Sequence, residues 1–129
     1  MSDKGTILVV EDNDFVRMQI VSHLGEAGYV VLEAAEGEAA LEKMREEKSV
    51  DLAVVDVRME PMGGFEFIGL ARSYGADMPV VLVTGDQNPD LLEKAGLWDV
   101  NFVLMKPVQK DRLVKVVERA LEEKKRLSV

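Results

Sequence analysis

The chain has no cysteine. Disulfides and thiolate metal sites are therefore excluded, and a cytoplasmic setting fits. Positive charge is the scarcer sign: 16 Lys and Arg stand against 24 Asp and Glu, a formal net charge of −8. That balance argues against sequence-independent nucleic-acid binding, which rests on Lys and Arg. No apolar run approaches the length of a membrane span, and the opening Met1-Ser-Asp-Lys-Gly5 lacks the basic and apolar regions of a signal peptide. What remains plentiful is apolar side chain and acid. At 129 residues and 47% hydrophobic, the chain is expected to form one domain with a real core. The excess of acid favours hard cations wherever carboxylates converge.

Four short apolar runs punctuate the chain. Thr6-Ile-Leu-Val-Val10, Leu52-Ala-Val-Val55, Pro79-Val-Val-Leu-Val83 and Phe102-Val-Leu-Met105 are too short for free-standing helices and rich in Val. The first two read as strands buried on both faces, as in a parallel sheet, and the other two as further strands, the last barred by Pro107 from continuing as a central strand. A fifth, Val30 to Ala34, alternates with Glu33 and reads as a more exposed strand. Between them lie helical patterns. Asn13 or Asp14 can cap a helix carrying Val16, Ile20, Leu24 and Ala27 on one stripe, with Gly28 as its stop. A second, from Gly37 to about Glu46, buries Ala40, Leu41 and Met44. A third starts at Gly64, with Phe65, Ile68 and Arg72 on one line and Phe67 and Ala71 beside it. Asn88-Pro89 opens a short helix ending near Gly96. The last, Lys110 to Lys125, buries Leu113, Val117, Ala120 and Leu121, with a charged, solvated end. Five strands alternating with five helices predict an α/β fold on a parallel sheet.

The strand ends carry the chemistry. Glu11 and Asp12 follow the first run, Asp56 the third in chain order, Thr84 the fourth and Lys106 the fifth. In a parallel sheet these ends share one edge, where open α/β sheets bind ligands. Each residue alone has an ordinary role as a cap, a turn residue or a solvated side chain. Placed together, three acids, a hydroxyl and an ammonium suit Mg²⁺ binding and transfer of a phosphoryl group to a carboxylate.

Glu11-Asp12, Asp56-Val-Arg-Met59 with Gly64, Thr84-Gly85 and Lys106-Pro107 stand in an order and spacing that resemble the receiver domain of two-component response regulators, from about Thr6 to Leu121. The resemblance implies a flavodoxin-like, doubly wound sheet of order 2-1-3-4-5. It implies that Asp56 is the phosphoacceptor and that Glu11, Asp12, Asp56 and the backbone carbonyl of Arg58 hold Mg²⁺. It further implies that Thr84 is the switch hydroxyl and Lys106 the phosphate-contacting lysine, with a cis Lys106-Pro107 peptide. The implied donor is a histidine kinase or histidine phosphotransfer protein. The implied reader is an effector or a fused output domain, docking on the fourth helix, fifth strand and last helix. Neither nucleic acid nor membrane is an expected direct partner, and the expected state is a monomer or a weak, phosphorylation-dependent dimer. On this reading 1–129 is one receiver, and 122–129 is a charged helix end or a lead into an output domain.

Two positions depart from the family pattern. Glu60 stands where the family often has proline, with Pro61 following. Val103 occupies the place of a switch aromatic, and strand alternation turns the adjacent Phe102 to the other face. An aspartate-nucleophile phosphatase commonly has a second acid two residues after its nucleophile, where this chain has Arg58. A flavin carrier needs a phosphate-cradling loop after the first strand, where Glu11-Asp12-Asn13-Asp14 would repel phosphate. An interaction module regulated without phosphorylation remains the bland alternative; it would be marked by a missing acceptor or lysine, and both are present. His23, the one histidine, reads as a solvated helix residue. Met59 and Met62 read as gap-fillers. Trp98 reads either as a partner anchor or as packing under a loop. Arg58 and Asp86, each two residues past a strand end, are placed for a salt bridge across the mouth of the site.

Overall fold

The Val-rich runs form five strands: β1 (Thr6–Val10), β2 (Val30–Ala34), β3 (Leu52–Asp56), β4 (Val80–Thr84) and β5 (Phe102–Met105). Between and after them lie α1 (Asp14–Glu26), α2 (Gly37–Glu46), α3 (Gly64–Ser73), α4 (Asp90–Leu97) and α5 (Lys110–Leu127). The computed structural model describes residues 4–46, 49–85, 90–100 and 102–127. All pairings are parallel, as the alternation of strands and helices predicted, and the strand order is β2-β1-β3-β4-β5, as the family resemblance implied. Among the described residues no helix is long and apolar enough to cross a membrane.

Alternation along each central strand divides the core in two. Leu8, Val10, Ala53, Val55, Val80 and Leu82 face α2, α3 and α4, where they meet Leu41, Phe67, Ile68 and Ala95. Ile7, Val9, Leu52, Val54, Val81 and Val83 face α1 and α5, meeting Ile20, Leu24, Leu113 and Val117. Burial on both faces explains the near-continuous apolar runs. β2 lies at one edge of the sheet and only Ala34 within it is fully buried, as its alternation with Glu33 suggested.

Asn13 caps α1: its Oδ1 accepts the Val16 amide at 2.9 Å. Gly28 ends that helix in the left-handed region at φ 102°. Three readings shift in detail. The buried stripe of α3 is Phe67, Ile68 and Ala71, while Phe65 is half-buried and the Arg72 guanidinium turns to backbone carbonyls. α5 runs on to Leu127, and its charged end is tied to the body by Lys124, whose Nζ lies 2.8 Å from Asp77 Oδ2. Met44 and Leu121 pack on the core but are only half-buried. Asn88 and Pro89, read as the start of the fourth helix, lie outside the described residues.

Candidate functional site

Because every strand runs the same way, the C-terminal ends collect on one edge. β1 ends into Glu11 and Asp12, β3 in Asp56, β4 in Thr84, and β5 leads into Lys106. Hydrogen bonds continue past the formal strand ends and hold this edge in register. Glu11 N donates to Ala34 O at 3.1 Å, Val57 N to Val83 O at 3.2 Å and Lys106 N to Thr84 O at 2.8 Å. Glu11, Asp56 and Thr84 are the buried polar or charged residues of the described chain. Asp12 is exposed. One carboxylate oxygen from each of Glu11, Asp12 and Asp56 lies within 4.8 Å of the others.

Lys106 closes the cluster. Its Nζ is 3.0 Å from Glu11 Oε1 and 3.2 Å from Asp56 Oδ1. Burial alone would lower the Lys106 pKa, but pairing with Glu11 and the charge of Asp56 outweigh it and raise it. Glu11 moves the other way from an ordinary acid. Burial pushes its carboxyl up to about 7, and the nearby Asp56 charge adds to the rise. The hydrogen bond from the Asn13 amide and the Lys106 ammonium offset only part of it. Oε2 accepts that amide at 3.1 Å. Oε1 has the ammonium beside it but no hydrogen bond of good geometry. A buried carboxylate oxygen with spare acceptor capacity, beside two further acids, fits a hard divalent cation with oxygen ligands.

The loop after β3 is shaped by close contact. A Cβ on Gly64 would collide with the carbonyl oxygen of Asp56, so any larger residue there displaces the backbone of the candidate acceptor. Met59 is buried in the core and Met62 rests against Gly37 at the start of α2, consistent with gap-filling. Arg58 is exposed in the same loop. The peptides Glu60-Pro61 and Lys106-Pro107 are both cis. Asp86, the other half of the expected salt bridge with Arg58, lies outside the described residues.

Val103 packs on the core facing α2, α3 and α4, and Phe102 on the opposite core, as strand alternation required. Thr84 pairs in register with Met105, which is exposed. His23 is half-buried on α1 rather than fully solvated. Trp98 is held on α3: its indole lies over Gly69, so that a Cβ there would come within 3.2 Å of the ring. It remains 38% exposed.

Arg17 is the residue that the sequence left unmarked. Its Nη1 donates to the carbonyl of Glu11 at 2.9 Å, its Nη2 to Asp14 Oδ1 at 2.7 Å and its Nε to Glu33 Oε1 at 3.1 Å. The i,i+3 spacing of Asp14 and Arg17 was a visible signal. The contacts to Glu11 and Glu33 depend on the fold.

Comparison with known proteins agrees with this geometry. The family model described as response regulator receiver domain matches residues 7–118. The two-component response regulator PhoP of Pseudomonas aeruginosa is 34% identical over 108 residues, 83% of this chain and 47% of that protein. The CAI-1 autoinducer sensor kinase/phosphatase CqsS of Vibrio cholerae is 32% identical over 114 residues, 86% of this chain and 16% of that protein. The chain thus spans less than half the length of these curated relatives. Among solved structures, the chemotaxis protein CheY4 of Vibrio cholerae superposes with a TM-score of 0.85 at 29% identity, covering 90% of this chain and 98% of its own. A CheY-like response regulator receiver domain protein from Methanospirillum hungatei gives 0.88 at 25% identity, covering 95% and 97%. With the family model spanning both cores and the acidic edge, and the sheet in the order 2-1-3-4-5, the chain belongs to the response regulator receiver domains of two-component systems.

Proposed function

We propose that this receiver accepts a phosphoryl group on Asp56 from a histidine kinase or histidine phosphotransfer protein. The carrying observation is the convergence of Glu11, Asp12 and Asp56 within 4.8 Å, with Lys106 Nζ 3.2 Å from Asp56 Oδ1. In the proposed step an Asp56 carboxylate oxygen attacks phosphorus, an O–P bond forms and the P–N bond to the donor imidazole breaks. The imidazole leaves with the bonding electron pair and takes up a proton. Glu11, Asp12, Asp56 and the Arg58 carbonyl would hold Mg²⁺, which supplies charge to neutralise the phosphoryl oxygens. Lys106 would pair with one of those oxygens once its bond to Asp56 is given up, and Thr84 would hydrogen-bond another. The readout is a change in the face built by α4, β5 and α5, recognised by an effector or output domain. Turnover of a metabolic substrate has no place in this scheme, and the setting is the cytoplasm.

The test is chemical. With acetyl phosphate and Mg²⁺, the wild type should gain one phosphoryl group and Asp56→Asn none, read by intact-protein mass. A phosphorylated Asp56→Asn would refute the assignment.

A further inference from the structure

Arg17 makes three hydrogen bonds to three separate segments, and only one of its acceptors is main chain. That acceptor is the carbonyl of Glu11, in the peptide joining Glu11 to Asp12. This peptide separates the buried Glu11, which turns inward to Lys106, from the exposed Asp12. Its orientation decides whether both carboxylates reach one point. Two bonds fix Glu11 from within: its amide to Ala34 O, and its Oε2 accepting from the Asn13 amide. The Arg17 bond fixes it from the outer side. The guanidinium is itself held, by Asp14 one turn earlier on α1 and by Glu33 near the end of β2. Its side chain is only 17% exposed, against 88% for Asp14 and 52% for Glu33. A planar fork with five N–H donors can serve three acceptors at fixed angles; a lysine ammonium on a flexible stem cannot hold the same set.

We infer that Arg17 is a positioning residue for cation binding: it fixes the Glu11–Asp12 peptide so that both carboxylates converge with Asp56. The inference rests on the Mg²⁺ reading above. Arg17 reaches the ion only through Glu11 and Asp12, and the outer anchor Glu33 acts one step further back. A merely structural arginine would alter stability and leave affinity for the ion alone.

The experiment measures Mg²⁺ binding by isothermal titration and stability by urea denaturation for the wild type and four variants. The variants are Arg17→Gln, Arg17→Lys, Glu33→Gln and, as a control at the far edge, Lys124→Gln. Arg17→Gln should weaken Mg²⁺ binding roughly tenfold, the scale of one lost charge-assisted hydrogen bond. Arg17→Lys should recover part of the stability through Asp14 and Glu33 but little of the affinity. Glu33→Gln keeps the fold, since its side chain is half exposed, and should weaken binding about two- to threefold. Lys124→Gln should leave affinity unchanged whatever it does to stability. A wild type that fails to bind Mg²⁺ removes the metal reading itself. A wild type that binds, with unchanged affinity in Arg17→Lys and Glu33→Gln, overturns the positioning role alone. Should Arg17→Gln fail to fold, those two variants decide the matter.

Discussion

Burial gives Glu11 a carboxyl pushed up to about 7, against an ordinary value near 4.5, so its protonation differs between the folded and unfolded chain. The sign follows from linkage. Between the two values the folded protein holds a proton that the unfolded chain has released. The stability this contributes is fully present below about pH 4.5 and is lost as pH rises through about 7. In EDTA, stability should therefore fall between about pH 5 and pH 8. Glu11→Gln, which cannot ionise, should flatten that slope, and so should saturating Mg²⁺, which replaces the proton as counter-charge. Glu26 and Asp77, whose pKa values are lowered by Lys110 and Lys124, contribute in the opposite sense, lending stability that is lost as pH falls. Urea midpoints across the pH series give the check, and identical slopes in wild type and Glu11→Gln would rule the account out. That five candidate residues would share one edge was legible in sequence because each follows an apolar run, but the raised Glu11 was not. Its state depends on Lys106 and Asp56, which only the parallel sheet brings alongside.

Arg72 does for the α3 end what Arg17 does for the α1 start. From α3 its Nη1 donates to the carbonyls of Ala76 and Met78 at 3.1 and 2.7 Å, and its Nε to that of Trp98 at 3.3 Å. The turn entering β4 and the segment leaving α4 are thus joined through one guanidinium, whose pKa is lowered by burial. Arg72→Ala would leave partly buried carbonyls short of a donor and should cost about 2–3 kcal/mol. A urea titration that finds less than about 0.5 kcal/mol would show that water replaces the guanidinium freely. The strands and the first three helices could be read from period and punctuation, since Asn13, Gly28 and Gly64 act locally. Contacts distant in sequence were less legible. Nothing in the run after Glu122 shows that Lys124 pairs with Asp77, and nothing near Trp98 points to Gly69. Arg72 lay on the apolar line of its helix by spacing, yet its charged end found carbonyls outside that helix.

At the scale of the whole molecule, two cores on opposite faces of one sheet leave the C-terminal edge as the place where charge gathers. Three acids converge there and one lysine pairs with two of them, on a chain whose formal net charge is −8. Two kinds of cation effect follow. Any salt screens the self-repulsion of an acidic chain and stabilises it modestly. A cation held by Glu11, Asp12 and Asp56 binds the folded chain alone and stabilises by mass action, about 2.7 kcal/mol at a hundredfold excess over its Kd. For a domain of this size that is a rise in Tm of roughly 8–13 °C. NaCl at equal ionic strength should give only the screening part. Asp12→Asn separates the two cleanly, because Asp12 is exposed and its neutralisation leaves no buried charge unpaired. The variant should keep the NaCl response and lose most of the extra response to Mg²⁺. Equal shifts from Mg²⁺ and NaCl in the wild type would reduce the acidic edge to ordinary surface charge. So would an Asp12→Asn protein that keeps the whole Mg²⁺ increment. Calorimetric scans of both proteins in the two salts distinguish these outcomes, since a specific site makes Tm climb with free Mg²⁺ long after screening has levelled off.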